Sequence, residues 1–421
     1  MKTYCLVGTG YRGTWMYLKN LTEYYTDCAK VVGVCDPNPL RAGYSASQMP
    51  YEIPVYTDFD KMLDELHPDE VIVTTIDRYH NEYCVRAMEK GYNVICEKPL
   101  TMTADKCREI LECEKRTGKH VRVTFNLRFA PHLAKLKEVM QTGVIGDVLH
   151  VNMEWMLDTS HGADYFRRWH RYIENSGSLL VHKSTHHFDI VNWLIDQDPI
   201  AVYANGSLKY YGADRKEGHG ERCLTCPLKE TCELAFKETE NWDIKGLYFE
   251  TEQGDGYYRD RCLFDKSINI YDTMSLNVKY SGGALMTYSL IAYAPYEGWK
   301  LTITGTKGRL EASVTDNGVL SYDKCNLIRV FTRDGDMQEY HIPKDTTTHG
   351  GGDRRMLNML FRGVDAGRTD DPLHQCATTR EGTMSIMIGI CATESIRTGK
   401  EVKVKDLVDT DYYFGDQARY N

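Results

Sequence analysis

Over residues 1–125, short apolar runs rich in β-branched side chains alternate with amphipathic stretches. The runs at 4–7, 31–35, 70–75, 93–96 and 121–125 have the length and composition of strands. Between them, 81–90 and 103–117 carry helical spacing and stop at Gly91 and Gly118. Strand–helix alternation at this pitch predicts βαβ units in a parallel, doubly wound α/β sheet of the Rossmann type. The texture changes after Phe125. A helix is predicted at 126–142, with Pro131 near its start and Gly143 past its end. A long strand at 147–157 and helix-compatible spacing over 179–195 come next. Five strand runs follow with little helix between them, at 275–280, 284–293, 300–304, 309–314 and 327–331. Two late helical patterns span 353–364 and 379–397. The division is a Rossmann domain at 1–125 and, at 126–421, an α+β domain with a large, mostly antiparallel open sheet. Residues 212–266 are polar and show little periodicity, which marks an insertion that is functional or anchored by something.

Composition narrows the class. With 421 residues, 42% hydrophobic and 26% charged, the chain is globular and long enough for two or three domains. Its 51 basic and 60 acidic residues give a net charge of −9, which argues against nucleic acid or an anionic membrane as partner. No apolar run approaches the ~20 residues of a membrane span. No secretory pattern precedes the first strand, so a cytoplasmic protein is expected, and its fourteen cysteines read as thiols or metal ligands.

Gly8-Thr9-Gly10-Tyr11-Arg12-Gly13 follows the first strand and opens a helix. Glycines there permit a tight turn and bring backbone N–H groups up to a pyrophosphate. Asp36 closes the second strand at the spacing of a carboxylate that accepts from adenosine ribose hydroxyls. It would repel a 2′-phosphate, so NAD is favoured, while Arg41 leaves NADP open. A ligand-free glycine turn is the plainer alternative. Glu97-Lys98-Pro99-Leu100 ends another strand, placing a carboxylate and an ammonium where open α/β sheets bind ligands. A lysine in a partly dry cleft can share a hydroxyl proton, although a surface Glu–Lys pair is the commoner explanation of the residues alone.

Together these motifs closely resemble the glucose–fructose oxidoreductase/inositol dehydrogenase (Gfo/Idh/MocA) family, over nearly the whole chain. The segment Val123-Thr124-Phe125-Asn126-Leu127-Arg128-Phe129 is similar to the family's entry into the second domain. The resemblance implies NAD(P)-linked oxidation or reduction of sugars, inositols and related polyols. It places Lys98 on the reacting hydroxyl and Glu97 on the nicotinamide ribose. It also places Thr74, Thr75, His80, Lys98 itself and Asn126 beside the cofactor, with Arg128 and His186 at the substrate. His186 matches the family's catalytic histidine and Asp189 the aspartate after it. His182 stands where many members carry Asp, and Lys183 is a second departure. If one helix carries them, His182 and His186 share a face at i, i+4 and could relay a proton. A metal pair or structural histidines are the alternatives. Trp169, within an aromatic and cationic stretch, could stack on a sugar or serve an oligomer contact. His349, before three glycines, is a candidate substrate contact, while Asp353 reads as a helix cap.

Cys223, Cys226 and Cys232, with Cys262 further on, lie in the polar insertion. Four thiolates satisfy a tetrahedral zinc ion, which could order a segment lacking its own core. An iron–sulfur cluster, disulfides or free thiols are the alternatives. The resulting expectation is an NAD-dependent oxidoreductase acting on a sugar, glycoside or polyol hydroxyl as a homodimer or homotetramer. Lys98, His186, His182 and Lys183 form its catalytic set. The rivals are a redox-neutral NAD-dependent glycosidase and a non-catalytic NAD or sugar sensor.

Overall fold

The computed structural model describes residues 1–212, 216–237, 241–317, 324–363 and 370–415. β1 (Lys2–Val7), β2 (Ala29–Cys35), β3 (Val55–Tyr56), β4 (Glu70–Val73), β5 (Asn93–Glu97) and β6 (Val121–Thr124) lie parallel in the order β3-β2-β1-β4-β5-β6. Helices cover both faces, so β4 is buried throughout and reads as a continuous apolar run. The order reverses between β1 and β4, and a cleft opens there outside the strand carboxyl ends. The helix Ala104–Thr117 shows why the boundaries were readable. Thr103 caps its start by accepting from Lys106 N, and Gly118 ends it at φ +67°.

The second layer uses β7 (Val148–Asp158), β8 (Pro199–Ser207), β9 (Thr273–Tyr280), β10 (Leu285–Ala294), β11 (Gly298–Gly305), β12 (Gly308–Thr315), β13 (Cys325–Thr332) and β14 (Met337–Pro343). β15 (Ala377–Thr378) pairs with the edge of β6. β16 (Val402–Lys403) completes a nine-stranded sheet ordered β14-β13-β12-β11-β7-β10-β9-β8-β16 among the described residues. Its pairings are antiparallel except β7 with β10. β9 alternates buried and exposed positions, which leaves one face on the helices Ser184–Ile195 and Thr379–Thr398 and the other uncovered. One apolar core runs through both sheets, from Cys5, Val71 and Cys96 to Trp155, Leu290 and Trp299.

Five strands escaped the periodicity. β3, β15 and β16 have two residues each, β14 holds only exposed and half-buried positions, and β8 carries exposed apolar side chains at Ile200 and Tyr203. The single helix expected at 126–142 is a 3₁₀ turn, Asn126–Phe129, followed by a helix, Pro131–Gln141. The one expected at 179–195 splits at Lys183 into Leu179–His182 and Ser184–Ile195. The late helix from 353 is Gly352–Leu357 continued by wider turns over Asn358–Arg362, and its expected end at Val364 lies outside the described residues. In the insertion, of which 213–215 and 238–240 also lie outside them, the described residues form short helical turns around Phe236, Ile244, Leu247 and Tyr248. Its neck is tied by Asp260, which accepts from Arg222 Nε at 2.9 Å and Leu224 N at 2.8 Å.

Candidate active site

The glycine turn is built by close approach. Gly8 has φ +93°, and a Cβ on it would meet the Thr74 carbonyl carbon at 2.6 Å. A Cβ on Gly13 would meet Gly8 O at 2.2 Å. Thr74 Oγ1 donates to Gly8 O at 2.7 Å, binding the end of β4 to the turn. The ring nitrogens of His80 lie 2.8 Å from Pro99 O and 3.0 Å from Thr75 O, so this buried ring joins two cleft loops. Asp36 is buried at the end of β2 and accepts from Thr9 N at 2.8 Å and Asn38 N at 2.9 Å. Burial raises its carboxyl, and Arg41 opposes that.

Part of the insertion lies across this turn. Tyr248 Oη accepts from Tyr11 N at 2.8 Å. Arg41 donates to Asp255 at 2.7 Å and to Leu247 O at 3.3 Å, and Asn38 Nδ2 donates to Thr251 O at 2.9 Å. The residues fit a dinucleotide. Only the Tyr248 hydroxyl comes within 4 Å of a Cβ built on Gly10, and Asn126 Oδ1 is buried without a partner, an acceptor left unmet.

From the end of β5, Glu97 enters a network of direct ion pairs and hydrogen bonds. Its Oε1 accepts from Arg12 Nε at 2.9 Å and Tyr17 Oη at 2.7 Å. The other side of Arg12 faces Asp353, with Nη2 at 3.2 Å from Oδ1. Asp353 also takes Asn126 Nδ2 at 2.6 Å and His349 Nδ1 at 2.8 Å. Asp353, expected as a cap, instead ties the second domain to the glycine turn. Burial alone would raise its carboxyl, but Arg12 and then His349 hold it below the ordinary value.

Lys98, the next residue, points into a different environment. Its Nζ donates to His182 O at 3.1 Å. His182 Nδ1 lies 2.6 Å from Asp77 Oδ2, and the His170 ring is 4.2 Å away. Trp169 stacks on His170 at 3.7 Å, so the expected sugar platform is an edge neighbour of the histidines. His186 lies in the next helix, 6.5 Å from the His349 ring, with Nδ1 buried and unpartnered. Lys183 Nζ sits over the Trp155 ring at 5.5 Å. Burial, with Lys183 adding and Asp77 opposing, pulls the Lys98 ammonium down to about 8. Burial, then Lys98, hold His182 and His186 well below the ordinary imidazole value.

Two expectations change. His182 and His186 do not share one helix, because the chain breaks at Lys183, yet both flank Lys98. Arg128, expected at the substrate, is 1% exposed and held bidentately by Asp189 at 2.7 and 2.6 Å, a packing pair. Three residues were missed. Asp77 carried a faint signal as a carboxylate just past β4, whereas Tyr248 and the role of Asp353 depend on tertiary approach.

The four cysteines of the insertion line one small cavity with Arg167 and His219. Arg167 Nη1 lies 3.3 Å from Cys223 Sγ. Among the described residues, however, no three His, Cys, Asp or Glu side chains are set to hold a metal ion. Neither the zinc expectation nor its iron–sulfur alternative gains support there. All fourteen cysteines are free thiols, which removes the disulfide alternative. No described helix is long and apolar enough to cross a membrane.

Comparison with known proteins follows this geometry. Residues 2–125 match the oxidoreductase family with an NAD-binding Rossmann fold, and 137–404 match its C-terminal alpha/beta domain. The oxidoreductase YteT of Bacillus subtilis (strain 168) is 36% identical over 425 residues, covering 97% of this chain and 99% of its own. An inositol 2-dehydrogenase/D-chiro-inositol 3-dehydrogenase of Lactiplantibacillus plantarum is 29% identical over 201 residues, 48% of this chain and 53% of its own. Among solved structures, an oxidoreductase domain protein from Kribbella flavida superposes with a TM-score of 0.68 at 16% identity, covering 96% of this chain and all of that one. The WlbA dehydrogenase of Chromobactrium violaceum, solved with NADH and UDP-GlcNAcA, gives 0.65 at 18% identity, covering 96% of this chain and 95% of that one. The two family matches cover the glycine turn, the Glu97-Lys98 strand end and the histidine helices, and the chain belongs to the Gfo/Idh/MocA family of NAD-binding oxidoreductases.

Proposed function

We propose that the chain oxidises or reduces a hydroxyl-bearing carbon of a sugar, glycoside or polyol, with Lys98, His182 and His186 handling the hydroxyl proton. The observation that carries this is the cluster at the end of β5, where Lys98 Nζ meets the His182 carbonyl at 3.1 Å with His186 in the next helix, in buried surroundings that draw the lysine down to about 8. A general acid–base group works best when it titrates near the operating pH. Gly8, Gly10, Tyr11, Arg12 and Gly13 would hold NAD by its phosphates, Asp36 by the adenosine ribose, and Thr74, Thr75, His80, Glu97 and Asn126 would shape its inner end. Bound there, NAD supplies the hydride acceptor. Lys98 Nζ takes the hydroxyl proton, while His186 and His349 stand where a polyol's remaining hydroxyls need donors. The relatives named as inositol dehydrogenases support the substrate class.

A second reading is a redox-neutral cleavage of glycosides. It is favoured by His182 with Asp77 behind it, which adds a base besides Lys98 for removing a proton beside a transient ketone. We also propose assembly through the uncovered sheet face, where Tyr203 and Leu285 are 41% and 51% exposed.

The test is a panel of inositols, sugars and glycosides with NAD, followed by reduced-nicotinamide absorbance and by product analysis. Turnover of a polyol that disappears in Lys98→Ala supports the reading. Glycoside cleavage without net change in the nicotinamide selects the second. No turnover on any class, with Lys98→Ala indistinguishable on the native substrate, sinks both.

A further inference from the structure

Asp77 lies just past β4, in the loop that His80 fastens to Pro99. It is 2% exposed, and its Oδ2 lies 2.6 Å from His182 Nδ1, itself in a buried residue. His182 in turn receives Lys98 Nζ on its backbone carbonyl at 3.1 Å. A carboxylate 105 positions away in sequence therefore fixes the ring of the very residue whose backbone holds the lysine.

We infer that Asp77 is a positioning residue that holds His182 as the Nδ1–H tautomer, leaving Nε2 as a second base beside Lys98. This rests on the reading that Lys98 and His182 handle the substrate proton. The imidazole donates Nδ1–H and the carboxylate accepts, which fixes both the tautomer and the ring plane. Burial, with Glu97 adding, raises the Asp77 carboxyl well above its ordinary value, and Lys98 and Arg168 oppose that in favour of the ionised form. Lys98, Arg168, Lys183 and His80 act on His182, and His170 lies against it, so the ring stays uncharged with a free lone pair. When Nε2 takes a proton, the Asp77 carboxylate stabilises the imidazolium without accepting the proton itself. The two residues do together what a lone aspartate at position 182 would do, with a basic nitrogen in place of a carboxylate oxygen.

The test uses the full chain, Asp77→Asn and His182→Ala, each checked for folding by thermal melt and for NAD binding by fluorescence titration. An asparagine at position 77 can present its amide N–H to Nδ1 and reverse the tautomer. Asp77→Asn is expected to lower kcat about 100-fold or more while KM and NAD affinity change less than about threefold. The pH profile should shift with it, and ¹⁵N-histidine spectra should show the His182 signal, assigned by its absence in His182→Ala, exchanging its protonated nitrogen. If His182→Ala abolishes turnover but Asp77→Asn leaves kcat, pH profile and tautomer unchanged, the inference falls and the parent reading stands. If His182→Ala leaves turnover intact, both fall.

Discussion

Glu97 and Lys98 are neighbours in the chain but belong to clusters of opposite character. Around Glu97 the charged groups pair directly: Arg12 lies between Glu97 and Asp353, and Tyr17, Asn126 and His349 each donate to one of the two carboxylates. Around Lys98 they do not. Lys98 donates to a backbone carbonyl, Lys183 sits over the Trp155 ring, and the Nδ1 atoms of His170 and His186 are buried without partners. Both clusters are buried, so burial alone does not separate architecture from chemistry. The difference lies in whether protons have a fixed home. Directly paired charges rigidify a network, while titratable groups without a direct ionic partner sit nearer the point of proton exchange.

Lys98→Met should break the second cluster without touching the first. Turnover should fall about 1,000-fold, a general acid–base group's contribution, while NAD binding and the melting temperature stay close to wild type. Retention of a tenth of the activity would move the proton to another group. The next effect is on pH. Since Lys98 titrates at about 8, alcohol oxidation should rise tenfold per pH unit up to that value and then level off. That makes about a 100-fold span between pH 6 and 8. His182 and His186, held below the ordinary imidazole value, add no limb there, so a flat profile from 6 to 9 would separate Lys98 from proton acceptance.

The directly paired cluster should answer with stability instead. Asp353→Ala leaves Arg12 with Glu97 alone and removes the acceptor of His349 and Asn126, a loss of about 2–3 kcal/mol by urea unfolding. The carboxyl of Asp353 is depressed in the folded chain. Its contribution is therefore fully present above the ordinary carboxylate value and is lost as pH falls through the folded value. The gap between wild type and variant should be full at pH 7 and narrow toward acid. A gap that widened toward acid would contradict the ion-pair assignment.

What could be read in the sequence follows from how local each signal is. The glycine turn, Asp36 and the Glu97-Lys98 strand end are short motifs at fixed offsets from strands, because backbone geometry within one βαβ unit dictates them. The helix over Ala104–Thr117 was legible from its cap and its closing glycine. Arg128 was misplaced because a motif gives a residue's position without its partner, and only packing reveals that Asp189 occupies the guanidinium. Asp77 and Asp353 are parts of their clusters through contacts 105 and 341 residues apart, with His182 and Arg12. No period or spacing encodes such separations. The cysteine spacing pointed to one metal site, and what the structure shows is four thiols lining one cavity. Spacing could not say whether they would also reach metal-binding geometry.

The smallest expected effect concerns the place where the insertion meets the directly paired side of the cleft. Tyr248 is buried, with Arg41 5.6 Å and Arg259 5.6 Å from its ring, so Tyr248→Phe should keep the packing and lose only the hydroxyl. That hydroxyl accepts from Tyr11 N, a donor that a dinucleotide phosphate at this turn would use. With the hydroxyl present, the phosphate must displace an existing hydrogen bond, whose net worth is about 1 kcal/mol. With it gone, that hydrogen bond no longer competes, and NAD should bind about fivefold tighter in a fluorescence titration, at unchanged melting temperature without NAD. Weaker binding would reverse the argument, making Tyr248 a partner of the cofactor rather than its competitor and the insertion part of the cofactor site. Asp255→Ala distinguishes the two from a second direction. It releases Arg41 from the insertion while leaving Tyr248 in place, so tighter binding in Tyr248→Phe but not in Asp255→Ala would locate the competition at the one hydroxyl.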